Sequence, residues 1–296
     1  MRKSIVATAT ALTLVAAGIA VAGVNLTARP ASAALSDVPA DCGVFATAYR
    51  SDGHRLGYSY VDRKTNTSAY TNDMLGWVPS ALQNMGGAGG EDQFRSREYA
   101  AHPTNGWLYK VVRHGERVNG SWRITSLTAD QHTSGFGGTR ILAYGYPYLY
   151  RVAGNSLYRY TISSSTGALS GKVKLPGTGW DTVNTLIFER SGGTGSAAVD
   201  VLTGTKTNGE LKEWRINRAT PSQVSWRILK TSGWAGIATL SAGPCTAHPN
   251  GRVLLGITAT GTASVHFDAK VTDGIGTDIK GGSLGNLGWT AKSYGQ

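Results

Sequence analysis

Acidic residues are scarce in this chain: 18 Asp and Glu stand against 29 Lys and Arg, a net charge of +11. Cysteine is scarcer still, with two in 296 residues. Two cysteines exclude a disulfide-dense scaffold and leave no Cys-x-x-Cys pair for zinc or redox chemistry. His-Glu-x-x-His and the Asp-x-Asp-x-Asp-Gly calcium loop are missing too, so no metal and no cofactor is expected. The glycine-rich "GGAGGED" (86–92) lacks the Lys-Ser/Thr of a phosphate loop. Beyond residue 33 there is no long apolar run and little Leu, Glu, Lys or Ala at helical spacing. That excludes a helical bundle and a membrane span in the mature chain.

The first 33 residues read as a secretory signal. Met1-Arg2-Lys3 is positive, Ile5 to Val24 is apolar and uncharged, and Ala31-Ser32-Ala33 gives a small-x-small cleavage pattern. Removal of 1–33 leaves 34–296 as a single secreted domain with 26 basic and 18 acidic residues. Outside the cell, a basic balance points to anionic surfaces such as wall polymers or acidic glycans. The basic residues form no cluster, so nucleic acid is not an expected partner.

What is abundant is glycine, 40 residues, together with Thr, Ser and aromatics in short runs between turn signals. That composition predicts an all-β fold. Only "SALQNMGGAGGEDQF" (80–94) departs from it, and its glycines predict a loop inserted between repeats. Self-similarity then sets the architecture. Gly-Trp occurs at Gly76-Trp77, Gly179-Trp180, Gly233-Trp234 and Gly288-Trp289, with Gly135-Phe136 as a variant, in steps of 59, 44, 54 and 55 residues. A strand-like stretch precedes each pair (at Phe45, Leu108, Leu149, Val201 and Leu254) by 32, 28, 31, 33 and 35 residues. "SWRI" recurs at Ser121 and Ser225, and "AHPTNG" (101–106) is echoed by "AHPNG" (247–251).

A period near fifty with four strand-length segments predicts a five-bladed β-propeller of four-stranded antiparallel blades. The blades fall at roughly 42–85, 94–142, 143–190, 195–243 and 246–296. Each Gly-aromatic pair supplies a tight turn and a ring that wedges neighbouring sheets apart. Cys42 and Cys245 then sit in the first and fifth copies, which adjoin in a closed ring, so a Cys42–Cys245 disulfide is expected to latch it.

The order "HPNG", "LYKV", "LYRV…LYRY", "GTGWDTVNTLIF" resembles the tachylectin-2-like five-bladed propellers, across roughly residues 42–296. The resemblance implies a lectin that binds N-acetylated hexosamines between blades, with Trp180, Asp181, Trp77, Phe136, Trp234 and Trp289 as candidate contacts. Asp181 is the acidic neighbour kept beside a repeat tryptophan. His102, Asn105, Gly106, His248, Asn250 and Gly251 are read as turn residues. Asp181, Glu189, Asp200, Glu210 and Glu213 stand in no catalytic motif and read as solvated surface carboxylates, so the protein is not expected to be an enzyme. Expected partners are glycans or cell-surface polysaccharide. The alternatives are a targeting or adaptor subunit, with a protein partner in a secreted assembly, and a divergent glycoside hydrolase.

Overall fold

A computed structural model describes residues 34–289 and 291–295; the expected signal at 1–33 lies outside the described residues. The described chain is all-β. One eight-stranded sheet contains two four-stranded runs. The first is β1 (Gly43–Arg50), β2 (Arg55–Val61) and β3 (Lys64–Ser68), with the C-terminal β20 (Ala291–Gly295) added against β1. The second is β4 (Ala81–Gly89), β5 (Gln93–Ala101), β6 (Trp107–Val118) and β7 (Ser121–Ser134). The two runs touch through a single parallel pair, Gly295 with Leu82.

Three separate antiparallel sheets follow. These are β8 (Thr139–Gly145), β9 (Tyr148–Ala153), β10 (Ser156–Ile162) and β11 (Leu169–Lys174); β12 (Val183–Gly192), β13 (Val199–Lys206), β14 (Leu211–Asn217) and β15 (Val224–Lys230); and β16 (Ile237–Gly243), β17 (Arg252–Thr258), β18 (Thr262–Asp268) and β19 (Lys280–Asn286).

The first strand of each run meets the next in a closed cycle: β4 against β8, β8 against β12, β12 against β16, β16 against β20, and β20 against β4. At the centre is an opening of about 40 Å³, to which Leu82, Leu142, Thr185, Thr239 and Gly295 each contribute from a different strand. The core is distributed between the sheets. Trp180 packs with Tyr150 and Leu157 on one side and Leu202 and Ile216 on the other. Phe136, Trp234 and Trp289 occupy the corresponding clusters, and Trp77 lies against the cluster of Tyr49, Leu82 and Val111. Each such ring removes enough apolar area from water to contribute about 1.5–3 kcal/mol.

Every Gly-aromatic pair sits just before a first strand, and its ring meets an aromatic on the third strand of that run. The pairs are Trp77 with Tyr109 at 5.1 Å, Phe136 with Tyr160 at 5.1 Å and Trp180 with Trp214 at 5.1 Å. Trp234 with His266 at 4.7 Å and Trp289 with Tyr58 at 6.0 Å complete the set. In four of the five the glycine has a positive φ, between 67° and 93°, which an L side chain resists. The pair is therefore a hinge into the first strand rather than the close of a copy.

Strand pairing also changes the phase of the sequence landmarks. Phe45, Leu149, Val201 and Leu254 lie on second strands, but Leu108 lies on β6, a third strand. That displacement accounts for the short interval of 28 residues in this copy. The "AHPTNG" and "AHPNG" turns are likewise not equivalent. The first joins β5 to β6, where "TNG" (104–106) matches "TNG" (207–209) between β13 and β14; the second joins β16 to β17. The expected loop at 80–94 is a hairpin instead, with β4 paired along β5 and a bulge between Asn84 and Gly87. Its glycines serve close strand approach, which sequence alone renders as a turn signal.

Cys42 and Cys245 form a disulfide, both nearly inaccessible, between the start of β1 and the end of β16. Beside it, Asp41 accepts from the Ala247 N–H at 2.6 Å and contacts His248 Nδ1 at 2.9 Å. His248 therefore braces the disulfide crossing rather than its own turn. His102 does hold its own turn, its Nδ1 accepting from the Thr104 and Asn105 N–H groups. Asn105 Oδ1 accepts from the Trp107 N–H, and the Gly106 carbonyl from the Phe136 N–H. Asn250 accepts from the Val271 N–H through its carbonyl, and Gly251 lies against the Phe267 ring.

Candidate functional site

Period-two alternation puts Lys212, Trp214 and Ile216 on one face of β14. Cross-strand register sets Trp214 opposite Trp226 and Ile216 opposite Val224 on β15. This face meets the "PGTG" connection that leads from β11 to β12. Between them is a cleft of about 210 Å³, lined by Gly177, Trp180, Lys206, Lys212, Trp214 and Trp226, among others.

The three indoles differ in access. Trp180 and Trp214 are buried and pack together, forming the floor. Trp226 is 57% exposed and forms an open wall. The Lys212 ammonium lies 3.7 Å from the centre of the Trp226 ring and 5.5 Å from that of Trp214. Although Trp180 is buried, its indole N–H has no hydrogen-bond partner among the described residues. A flat apolar wall beside an unused donor is what a sugar ring requires, one face for its C–H groups and a polar point for a hydroxyl or carbonyl.

The structure places the sequence candidates as follows. Trp180 belongs to the cleft, but its neighbour Asp181 is exposed on the short 3-10 turn Trp180–Thr182 and does not line it. Phe136, Trp234 and Trp289 are buried in the cores between sheets, and Trp77 is half-buried against His102 and Tyr109. Trp226 and Lys212 escaped the sequence reading. The signal was the second "SWRI": in the first copy Trp122 is half-covered by Phe94, at 5.2 Å, whereas Trp226 stands open.

The surface reading of the carboxylates is corrected for Glu189, Asp200 and Glu213, which are buried. Asp200 accepts from the Tyr150 hydroxyl at 2.6 Å and from Arg218 Nε at 2.8 Å. Glu213 is held by Arg190 and Arg215, and Glu189 accepts from the Thr203 hydroxyl. These groups join strands within and between sheets, a role invisible in sequence because the partners are distant along the chain. No carboxylate is among the described residues lining the central opening. The single Gly-x-Ser-x-Gly spacing, Gly281 to Gly285, runs along β19, where Ser283 Oγ accepts from the Gly285 N–H; it forms no strand-to-helix elbow.

Asp268, at the end of β18, is buried without an ion pair among the described residues; it accepts from the Lys270 N–H. Burial, aided by the charges of Asp278, Glu189 and Asp273, pushes its pKa up to about 7. The folded state thus holds a proton that the unfolded chain releases near pH 4, and this group makes stability fall as pH rises from about 4 to about 7. Neighbouring His266 opposes it: burial and the Lys230 charge pull its pKa down to about 4, so its contribution rises with pH. Asp268→Asn isolates the first effect. The variant is expected to gain about 1–3 kcal/mol over the parent at pH 8 and almost nothing at pH 4, measured by urea unfolding.

No protein-family model matches the chain, and no curated protein matches it in sequence. Solved structures similar in shape include AofleA from Arthrobotrys oligospora, 10% identical with a TM-score of 0.45, covering 82% of this chain and 70% of that one. The fucose-specific lectin from Aleuria aurantia is 13% identical with a TM-score of 0.38, covering 83% and 81%. The periplasmic gluconolactonase of Pseudomonas aeruginosa is 13% identical with a TM-score of 0.35, covering 81% and 82%. Likeness at this level carries no functional information.

Proposed function

We propose that the chain is a secreted, non-enzymatic carbohydrate-binding protein, built as a five-bladed propeller over residues 34–296, with the Trp226 cleft as a binding site. The five-fold repetition of first-strand contacts and Gly-aromatic pairs supports the blade count. The observation that carries the function is an exposed indole and a buried tryptophan with an unpartnered N–H lining one cleft of about 210 Å³. Glycans containing N-acetylhexosamine are the ligands that the tachylectin-2-like pattern implies. Tryptophan fluorescence titration with N-acetylglucosamine oligomers tests the reading. Trp226→Ala is expected to weaken binding by about tenfold to thirtyfold, as a truncated aromatic hot spot does. Asp181→Ala is expected to leave it unchanged. Equal binding by Trp226→Ala and the parent would place the site elsewhere.

One observation favours a second reading, glycoside hydrolysis. Glu189, whose pKa burial raises, lines a cavity of about 300 Å³ with Arg252. Turnover of an aryl glycoside that disappears in Glu189→Gln would establish it. If no glycan binds and a protein co-purifies, the adaptor reading replaces both.

A further inference from the structure

The charged and indole groups lining the Trp226 cleft are all donors. Lys206, Lys212 and Trp180 Nε1–H can give hydrogen bonds and cannot accept them. No carboxylate is among the described residues lining the cleft. Lys212 has no salt bridge and no side-chain hydrogen bond among the described residues, and its ammonium lies over the faces of Trp226 and Trp214. The one ion pair at Lys206, with Glu210, spans 3.6 Å, beyond hydrogen-bonding distance. Two cations therefore share a half-enclosed, aromatic-walled space in which Lys206 is paired with Glu210 at its edge and Lys212 has no ion pair among the described residues. Burial, and then the Lys206 charge, lowers the pKa of Lys212, with the Glu210 carboxylate opposing them.

The third donor, the Trp180 indole N–H, is buried and has no partner among the described residues. Gly177, at φ +98°, lies beside it, and a Cβ there would sit 3.7 Å from Nε1. A side chain at 177 would cover that N–H further. A neutral sugar could offer hydroxyl and carbonyl oxygens to these donors, but it would bring no counter-charge to Lys212. A sugar carrying a carboxylate or sulfate supplies charged acceptor oxygens to Lys212 and Lys206 while its ring packs against the exposed part of Trp226.

We infer that the ligand of this cleft is an acidic sugar, its anionic group received by Lys212 and Lys206. This rests on the carbohydrate-binding reading above and deepens it. Lys212 is placed to read the charge, and Trp226 the ring.

The test is calorimetric titration of the mature protein at low and at 0.5 M salt with three probes of equal length. One is a neutral N-acetylglucosamine oligomer, one alternates N-acetylglucosamine with glucuronic acid, and one is a sulfated oligosaccharide. An acidic probe is expected to bind about fivefold to tenfold more tightly than the neutral one, with the advantage shrinking at high salt. Preference between the two acidic probes separates carboxylate from sulfate as the group received. Lys212→Gln is expected to abolish the advantage, lowering affinity for the acidic probes about fivefold to tenfold more than for the neutral one, and Lys212→Arg to restore it. Trp226→Ala is expected to weaken all three. Lys212 is partly exposed at the cleft, and thermal unfolding of each variant confirms a folded protein. Equal affinity for neutral and acidic probes, or an advantage unchanged in Lys212→Gln, overturns the inference and leaves the carbohydrate reading standing. Failure of all three probes to bind overturns both.

Discussion

Replacing Cys42 and Cys245 together by serine is expected to lower the unfolding free energy by about 5 kcal/mol, the largest single effect in this molecule. The bridge closes a loop with a sequence separation of 203 residues, so the cross-link removes much of the freedom of the unfolded chain. It also fastens the start of β1 to the end of β16, across the boundary where the two ends of the sequence meet. In a domain of this size the midpoint of thermal unfolding should fall by roughly 10–20 °C. Guanidinium titration of the double variant is the direct measurement. A midpoint equal to that of the parent would show that the β1–β20 pairing alone holds this boundary.

The second large effect concerns a cation with almost no access to water. Arg113 on β6 is 1% exposed. Its Nε donates to Asp73 Oδ1 at 2.6 Å, and it also donates to the Tyr49 hydroxyl and, at 3.4 Å, to Glu98 Oε1. Tyr49 in turn donates to Glu98 at 2.6 Å, and Arg55 Nε to the other Glu98 oxygen at 3.3 Å. Two guanidinium groups thus balance two carboxylates between β1–β2 and β5–β6. Arg113→Ala leaves one cation for two buried carboxylates and is expected to cost about 3–5 kcal/mol.

The pH dependence provides a signature. Burial by itself would raise the Glu98 pKa, but Arg113 and Arg55 outweigh it and hold the carboxyl below its ordinary value. Glu98 therefore contributes stability that is present at neutral pH and lost as acid titrates it in the folded state. In Arg113→Ala that contribution weakens, so the deficit relative to the parent should be greatest at pH 7 and shrink toward pH 4. A deficit independent of pH would reduce Arg113 to a packing role. Removing both members, as in Arg113→Met with Glu98→Leu, should be milder than Arg113→Ala, because fewer charges remain buried without a partner.

The legible part of this fold was the part that repeats. Glycine before an aromatic ring marks a local requirement, in four of the five copies a left-handed turn followed by a large apolar side chain, and the pair appears in the sequence wherever the chain enters a first strand. The disulfide followed from that periodicity. What stayed hidden depends on partners far along the chain. β4 reads as a loop because its glycines are explained only by how closely β5 approaches. Asp200 and Glu213 read as solvated because Tyr150, Arg218 and Arg190 are not neighbours in sequence. Trp122 and Trp226 share the motif "SWRI", and only the presence of Phe94 beside the first makes the second the open wall of a cleft.

The pairing of β20 with β1 bears on how the protein is made. Strands β4 to β19 are arranged so that each run can pair in the order in which it emerges from a ribosome. The run β1–β3 has no such independence, because its first strand is synthesised after the strands of the other four runs. Until Ala291–Gly295 arrives, β1 presents an unpaired edge, open to any extended peptide that reaches it first. The interval between translation of Arg50 and of Gly295 is thus the period of greatest exposure to misassembly.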